Sequence, residues 1–143
     1  MNATLASLDL SEIDFLLVDD NRFIRQLLLE ILRSWGARSI REATGSEEAL
    51  YEIERHPPDV IFCDWMMGPT DGLGFLKKLR TMKTHQRIPL IMVSGHATTD
   101  HVAAALGEGA DSYIVKPFKP ATLMSHLLKV ISADETANAF MLD

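Results

Sequence analysis

Four apolar runs in this chain each stop at a side chain capable of chemistry. Leu16-Leu17-Val18 stops at Asp19-Asp20, Ile61-Phe62-Cys63 at Asp64, Ile91-Met92-Val93 at Ser94, and Ile114-Val115 at Lys116. Any one aspartate in such a place is more often a turn former or a helix cap than a ligand. Three carboxylates gathered together are different, because like charges at close range disfavour joint ionisation unless a cation compensates. Oxygen donors with no histidine or cysteine at ligand spacing favour Mg²⁺ over Zn²⁺. Beside such a cation a carboxylate can attack phosphorus and carry an aspartyl phosphate. Asp64 stands alone at the end of its run and is the expected nucleophile, whereas the Asp19-Asp20 pair is placed to hold the metal. Phosphoryl transfer needs positioning and charge neutralisation more than covalent help, which gives Lys116 the role of a second cation. Ser94 offers a hydroxyl donor.

These residues meet only if the runs that end in them are neighbouring parallel strands. The chain repeats one pattern five times: an apolar run of strand length, a polar break, then an amphipathic helical stretch. That alternation specifies an α/β domain, a parallel sheet wrapped by helices. The strand runs are Ile13–Val18, Ser39–Ala43, Asp59–Cys63, Ile88–Val93 and Ser112–Val115. The first helix puts Ile24, Leu27, Leu28, Ile31 and Trp35 on one face and stops at Gly36. Thr44 and Glu47 form a capping-box pattern for the second helix, which Pro57-Pro58 ends. A third helix covers 71–82. Thr98 or Thr99 caps a short Ala-rich fourth helix that Gly107 and Gly109 terminate, and Pro120 opens a last helix with Leu123, Leu127 and Ile131 on one side. The expected layout is an extension over 1–11, one domain over 12–131 and a tail over 132–143, where periodicity is lost. In a doubly wound sheet all strand C-termini lie at the edge that carries the ligand site, with neighbouring strands about 4.8 Å apart.

Composition narrows the function further. Fourteen basic against 20 acidic residues leave a net charge of −6, so there is no sequence-wide electrostatic footprint for nucleic acid. The single cysteine, Cys63, excludes an intrachain disulfide and reads as a small buried hydrophobe. No run approaches the roughly 20 apolar residues of a membrane span, and the first ten residues lack the order of a secretion signal, so a cytoplasmic location is expected.

With these residues in place, the chain resembles a response-regulator receiver domain of bacterial two-component signalling. The motifs that carry the resemblance are Leu17-Val18-Asp19-Asp20-Asn21, Asp64-Trp65-Met66-Met67 with Asp71-Gly72, Val93-Ser94-Gly95, and Gly109 through Pro117. The resemblance implies a flavodoxin-like three-layer sandwich with five strands in the order 2-1-3-4-5. It implies that Asp64 accepts a phosphoryl group from a sensor histidine kinase or a histidine phosphotransfer protein. Asp19, Asp20 and Asp64, with the backbone carbonyl of Met66, would bind Mg²⁺. Ser94 would move toward the phosphoryl group and Tyr113 would swing inward behind it, altering a target-binding face formed by helix 4, strand 5 and helix 5. It also implies a cis Lys116-Pro117 bond. Met66 and His96 occupy the positions that flank the phosphoryl group in this family, and because Met66 is apolar, any positioning of water falls to His96. Gly68 stands where the family usually has proline, and Pro69 follows.

His56, His85, His101 and His126 have no metal-ligand spacing among themselves and are expected at the surface. About 12 residues follow the last helix, too few for an output domain, so the expected protein is a stand-alone switch rather than a turnover enzyme. Two alternatives share the layout. A metal-dependent phosphatase would also use an aspartyl nucleophile, but it needs an acid beside it, and the chain offers Trp65-Met66. A flavin or nucleotide carrier needs glycines in the first βα turn, where this chain has Asp19-Asp20-Asn21-Arg22-Phe23. A receiver piece of a longer multidomain regulator is the remaining alternative.

Overall fold

The computed structural model describes residues 10–66, 71–85, 87–95 and 98–142, with side chains described as far as Ser132. Gly68, Pro69 and His96 lie outside the described residues. After a single 3-10 turn, Leu10–Glu12, five strands alternate with five helices: β1 Asp14–Val18, α1 Arg22–Ser34, β2 Ser39–Ala43, α2 Ser46–Arg55, β3 Val60–Cys63, α3 Gly72–Thr81, β4 Leu90–Ser94, α4 Thr99–Gly107, β5 Ser112–Val115 and α5 Pro120–Leu142. The strands form one parallel sheet in the order β2-β1-β3-β4-β5, the expected fold.

Side chains alternate across a strand, so each strand feeds two cores. Phe15 and Leu17 of β1 join Phe62, Ile91 and Ile114 on the face covered by α1 (Leu28, Leu32) and α5 (Leu123, Leu127). Leu16 and Val18 join Ile61, Cys63, Met92 and Tyr113 on the face covered by α2 (Ala49, Ile53), α3 (Phe75, Leu76, Leu79) and α4 (Ala105). Strands buried on both faces read as continuous apolar runs, which is why β1, β3 and β4 were legible.

Several local expectations change. On α1 the buried residues are Leu28, Leu29 and Leu32, while Leu27 points outward. The run Leu27-Leu28-Leu29 spans more than half a helical turn, so periodicity alone left the centre of the stripe open. The N-cap of α2 is Gly45 with no side-chain hydrogen bond, and Thr44 instead donates to Glu48 Oε2 at 3.1 Å. The helix starts one residue later than a Thr44 cap requires. Thr98 does cap α4, accepting from the backbone N–H of His101 at 3.2 Å. The left-handed φ angles of Gly36 and Gly109, +99° and +104°, suit the turns after α1 and α4.

Not every histidine stays at the surface as expected: His85 is buried and His101 and His126 are half-buried, while His56 is exposed. His85 is buried with Nε2 3.7 Å from Glu54 Oε1, and His56 Nε2 lies 3.0 Å from Asp14 Oδ2. His126 Nδ1 meets the Ser112 hydroxyl, and His101 packs on Trp65. Each partner comes from another element, so spacing along the chain held no sign of it. The last helix continues to Leu142, past Ser132 where side-chain periodicity fades. Among the described residues no helix is long and apolar enough to cross a membrane.

Candidate functional site

Strand register brings the acidic residues together. Val18 pairs with Ala43 on one side and Cys63 on the other, so Asp19 and Asp64 leave adjacent strands at the same level. The ladder extends one residue beyond the strands: Asp19 N–H donates to Ala43 O at 3.1 Å, Asp64 N–H to Val18 O at 2.9 Å, and Lys116 N–H to Ser94 O at 2.9 Å. One carboxylate oxygen each from Asp19, Asp20 and Asp64 lies within 4.8 Å of the others. Asp19 and Asp64 are buried at the floor, and Asp20 is exposed at the rim.

The first turn is braced by Asn21, whose capping role was not read from the motif, and by Arg25, which the sequence did not mark. Asn21 donates its N–H to Asp19 Oδ1 at 2.8 Å, and its own Oδ1 accepts from Phe23 N at 2.9 Å and Ile24 N at 3.3 Å, capping α1. Arg25 donates from Nη1 to the carbonyl of Asp19 at 2.8 Å and from Nε to Glu42 at 3.0 Å. An asparagine directly before an apolar-periodic stretch is a cap signal that could have found Asn21. Arg25 gives no such signal, because Glu42 lies on β2. The turn after Asp64 is equally tight. Gly72 N–H donates to Trp65 O at 2.5 Å, and a Cβ on Gly72 would lie 2.1 Å from the carbonyl oxygen of Asp64.

Lys116 closes the cluster. Its Nζ is 3.0 Å from Asp19 Oδ2 and 3.6 Å from Asp64 Oδ1, and the Lys116-Pro117 bond is cis. Ser94 is fully buried, and the Tyr113 phenol is hydrogen-bonded to its hydroxyl. The Tyr113 ring is already inside, 9% exposed and in the same core cluster as Trp65, rather than standing outside the sheet edge. Burial pushes the Tyr113 phenol and the Cys63 thiol above their usual ranges. Burial and the neighbouring Asp19 also push the Asp64 carboxyl up, against Lys116 and the backbone N–H groups of Trp65 and Met66, which hold it down. The Met66 side chain is exposed.

Three carboxylates thus face one ammonium, and the charge of Asp64 remains disfavoured. A hard divalent cation fits that imbalance and the all-oxygen donor set, so the residues present suit Mg²⁺. The family model for the response regulator receiver domain matches residues 15–128. The chain belongs to the response-regulator receiver family.

Receivers act as phosphorylation-dependent switches, bind Mg²⁺ at an acidic pocket, and interact with histidine kinases or phosphotransfer proteins and with downstream targets. This receiver is 31% identical over 115 residues to the chemotaxis protein CheY-3 of Vibrio cholerae, covering 80% of this chain and 88% of the relative. It is 34% identical over 116 residues to the phosphate regulon transcriptional regulatory protein PhoB of Pseudomonas aeruginosa, covering 81% of this chain and 50% of that one. Among solved structures, a putative response regulator from Chloroflexus aurantiacus superposes with a TM-score of 0.80 at 28% identity, covering 84% of this chain and 98% of that one. The CheX–CheY–BeF3–Mg complex from Borrelia burgdorferi gives 0.78 at 28% identity, covering 83% and 89%.

Proposed function

We propose that this receiver takes a phosphoryl group on Asp64 from the phosphohistidine of a sensor histidine kinase or a histidine phosphotransfer protein. The proposal adds that the change is passed through Ser94 and Tyr113 to a docking face made of α4, β5 and α5. The observation that carries it is the meeting of Lys116 with Asp19 and Asp64 at the rim of the sheet, next to Asp20.

In the proposed reaction an oxygen of Asp64 attacks phosphorus, the P–N bond to histidine breaks, and the imidazole nitrogen leaves with the electron pair. Asp19, Asp20, Asp64 and the Met66 carbonyl would hold Mg²⁺, which supplies charge neutralisation at the phosphoryl oxygens when bound. Lys116, already shared between Asp19 and Asp64, places its ammonium against the incoming oxygens. The Ser94 hydroxyl has one proton to donate, and the group is hydrogen-bonded to the Tyr113 phenol. Turning that proton toward a phosphoryl oxygen changes the bond that holds the phenol in place, so the Tyr113 ring and the adjoining β5 surface redistribute between two arrangements. Decay of the phosphoryl group is assigned to water held by His96, since the Met66 side chain is apolar. Equal decay rates in wild type and His96→Ala would remove that assignment.

A docking output is supported by the match that spans 88% of the Vibrio chemotaxis protein, and the match over 50% of the Pseudomonas regulator keeps a larger assembly as the second reading. A phosphatase is disfavoured because Trp65 and Met66, the residues after Asp64, offer no side-chain acid. Incubation with acetyl phosphate and Mg²⁺ tests the proposal by intact mass. One stable adduct per chain, absent from Asp64→Asn, supports the switch, and many turnovers without an adduct refute it.

A further inference from the structure

A second physical connection runs from Asp64 to α4, and it bypasses Ser94 and Tyr113. The backbone N–H of Trp65 hydrogen-bonds the Asp64 carboxylate, and its carbonyl accepts from Gly72 N–H at 2.5 Å, so the Trp65 backbone is held from both sides. The indole meets the imidazole of His101 edge-on, with ring centroids 4.8 Å apart and planes at 73°. His101 is in turn fixed to the start of its helix, where its N–H donates to Thr98 Oγ1 at 3.2 Å and its Nδ1 meets the same oxygen.

The helix at the far end of this connection is lightly held. Ala105 is the one buried residue of α4, whereas α1 buries three leucines. An open cavity of about 210 Å³ lined by Trp65, Asp100, His101 and Ala104 lies beside the ring pair and leaves it room to rearrange.

We propose that His101 is a positioning residue which, through the Trp65 ring, couples the backbone around Asp64 to the N-terminus of α4, in parallel with the Ser94–Tyr113 route. This rests on Asp64 being the phosphoryl acceptor. Conversion of the carboxylate to an acyl phosphate changes the charge and the oxygen that the Trp65 N–H faces. The adjustment of that peptide is carried by the rigid indole to His101 and Thr98. Because such coupling is reciprocal in binding free energy, a partner seated on α4 alters the affinity of Asp64 for an acyl-phosphate mimic by the same factor as the mimic alters the affinity for that partner.

The test uses the Trp35→Phe protein, in which Trp65 is the sole tryptophan, saturated with beryllofluoride and Mg²⁺ as an acyl-phosphate mimic. Trp65 emission and the backbone amide shifts of Ala104–Gly107 are recorded with and without the mimic. In Ser94→Ala the α4 shifts are expected to retain a reduced response. In Ser94→Ala/His101→Ala that response is lost, and His101→Phe, which keeps a ring, restores it. An edge-to-face contact of this kind corresponds to about a two- to tenfold change in the half-saturating beryllofluoride concentration on His101→Ala. Alanine favours the helix, and circular dichroism verifies folding. If Ser94→Ala alone abolishes the α4 response, or if the double variant responds as Ser94→Ala does, the Trp65–His101 coupling is refuted while Asp64 still binds the mimic. If neither beryllofluoride nor acetyl phosphate engages Asp64 in the parent, the acceptor reading falls first and this inference with it.

Discussion

Lys116 and Asp19 are 97 residues apart in the chain, yet Nζ and Oδ2 sit 3.0 Å apart in a part-buried ion pair. Asp19 follows a central strand and Lys116 an edge strand, and Lys116 also lies 3.6 Å from Asp64 across β4, the one strand between them. The pair therefore spans the mouth in which a phosphoryl group is proposed to sit.

Removing Lys116 tests its service to Asp64. Lys116→Ala is expected to slow acetyl-phosphate labelling about a hundredfold, the scale for losing one preorganised donor at a developing anion. It also removes an attraction that lowers the Asp64 pKa, so the carboxyl titrates still higher, which carbon NMR of labelled aspartate measures.

The raised pKa of Asp64 has a stability consequence with a definite sign. A carboxyl that titrates higher folded than unfolded favours the native state below its ordinary value, near 3.8, and this contribution is lost as pH rises through the folded value. Without metal, Asp64→Asn is therefore expected to melt above wild type at pH 7, with the gap closing as pH falls toward the ordinary carboxylate range. Calorimetric melts across that window decide it, and a variant less stable at pH 7 contradicts it.

Metal binding should reverse the penalty. At a hundredfold excess over its dissociation constant, Mg²⁺ is expected to stabilise wild type by about 2.7 kcal/mol, and to do little for Asp19→Asn or Asp64→Asn. Asp20→Asn is expected to weaken the metal with little change in apo stability, since Asp20 is exposed. Titration calorimetry reads the affinity directly.

Gly72 has no room for a side chain beside Asp64. A methyl group there would meet backbone at 2.1 Å, with no flexible side chain to give way. Gly72→Ala is expected to cost about 1–3 kcal/mol and to abolish labelling by displacing Asp64. Unaltered labelling with unaltered urea stability would show that the turn can relax.

The local pattern of the chain determined the elements and the order in which chemical groups leave them. The runs before Asp19, Asp64 and Ser94 are apolar on both faces because central parallel strands are covered twice, and the Thr98 cap and the Gly36 stop are local chemistry. Asp19, Asp20, Asp64 and Lys116 could therefore be picked out as one candidate cluster from strand ends alone. Tertiary structure decided what each group touches: Leu27 facing out, Arg25 reaching Glu42, Tyr113 already inside on Ser94, and His101 against Trp65. A periodic stripe reports which side of an element is apolar, but not how that element is rotated against its neighbours. Those rotations are set by packing between residues tens of positions apart, and such contacts leave no local mark.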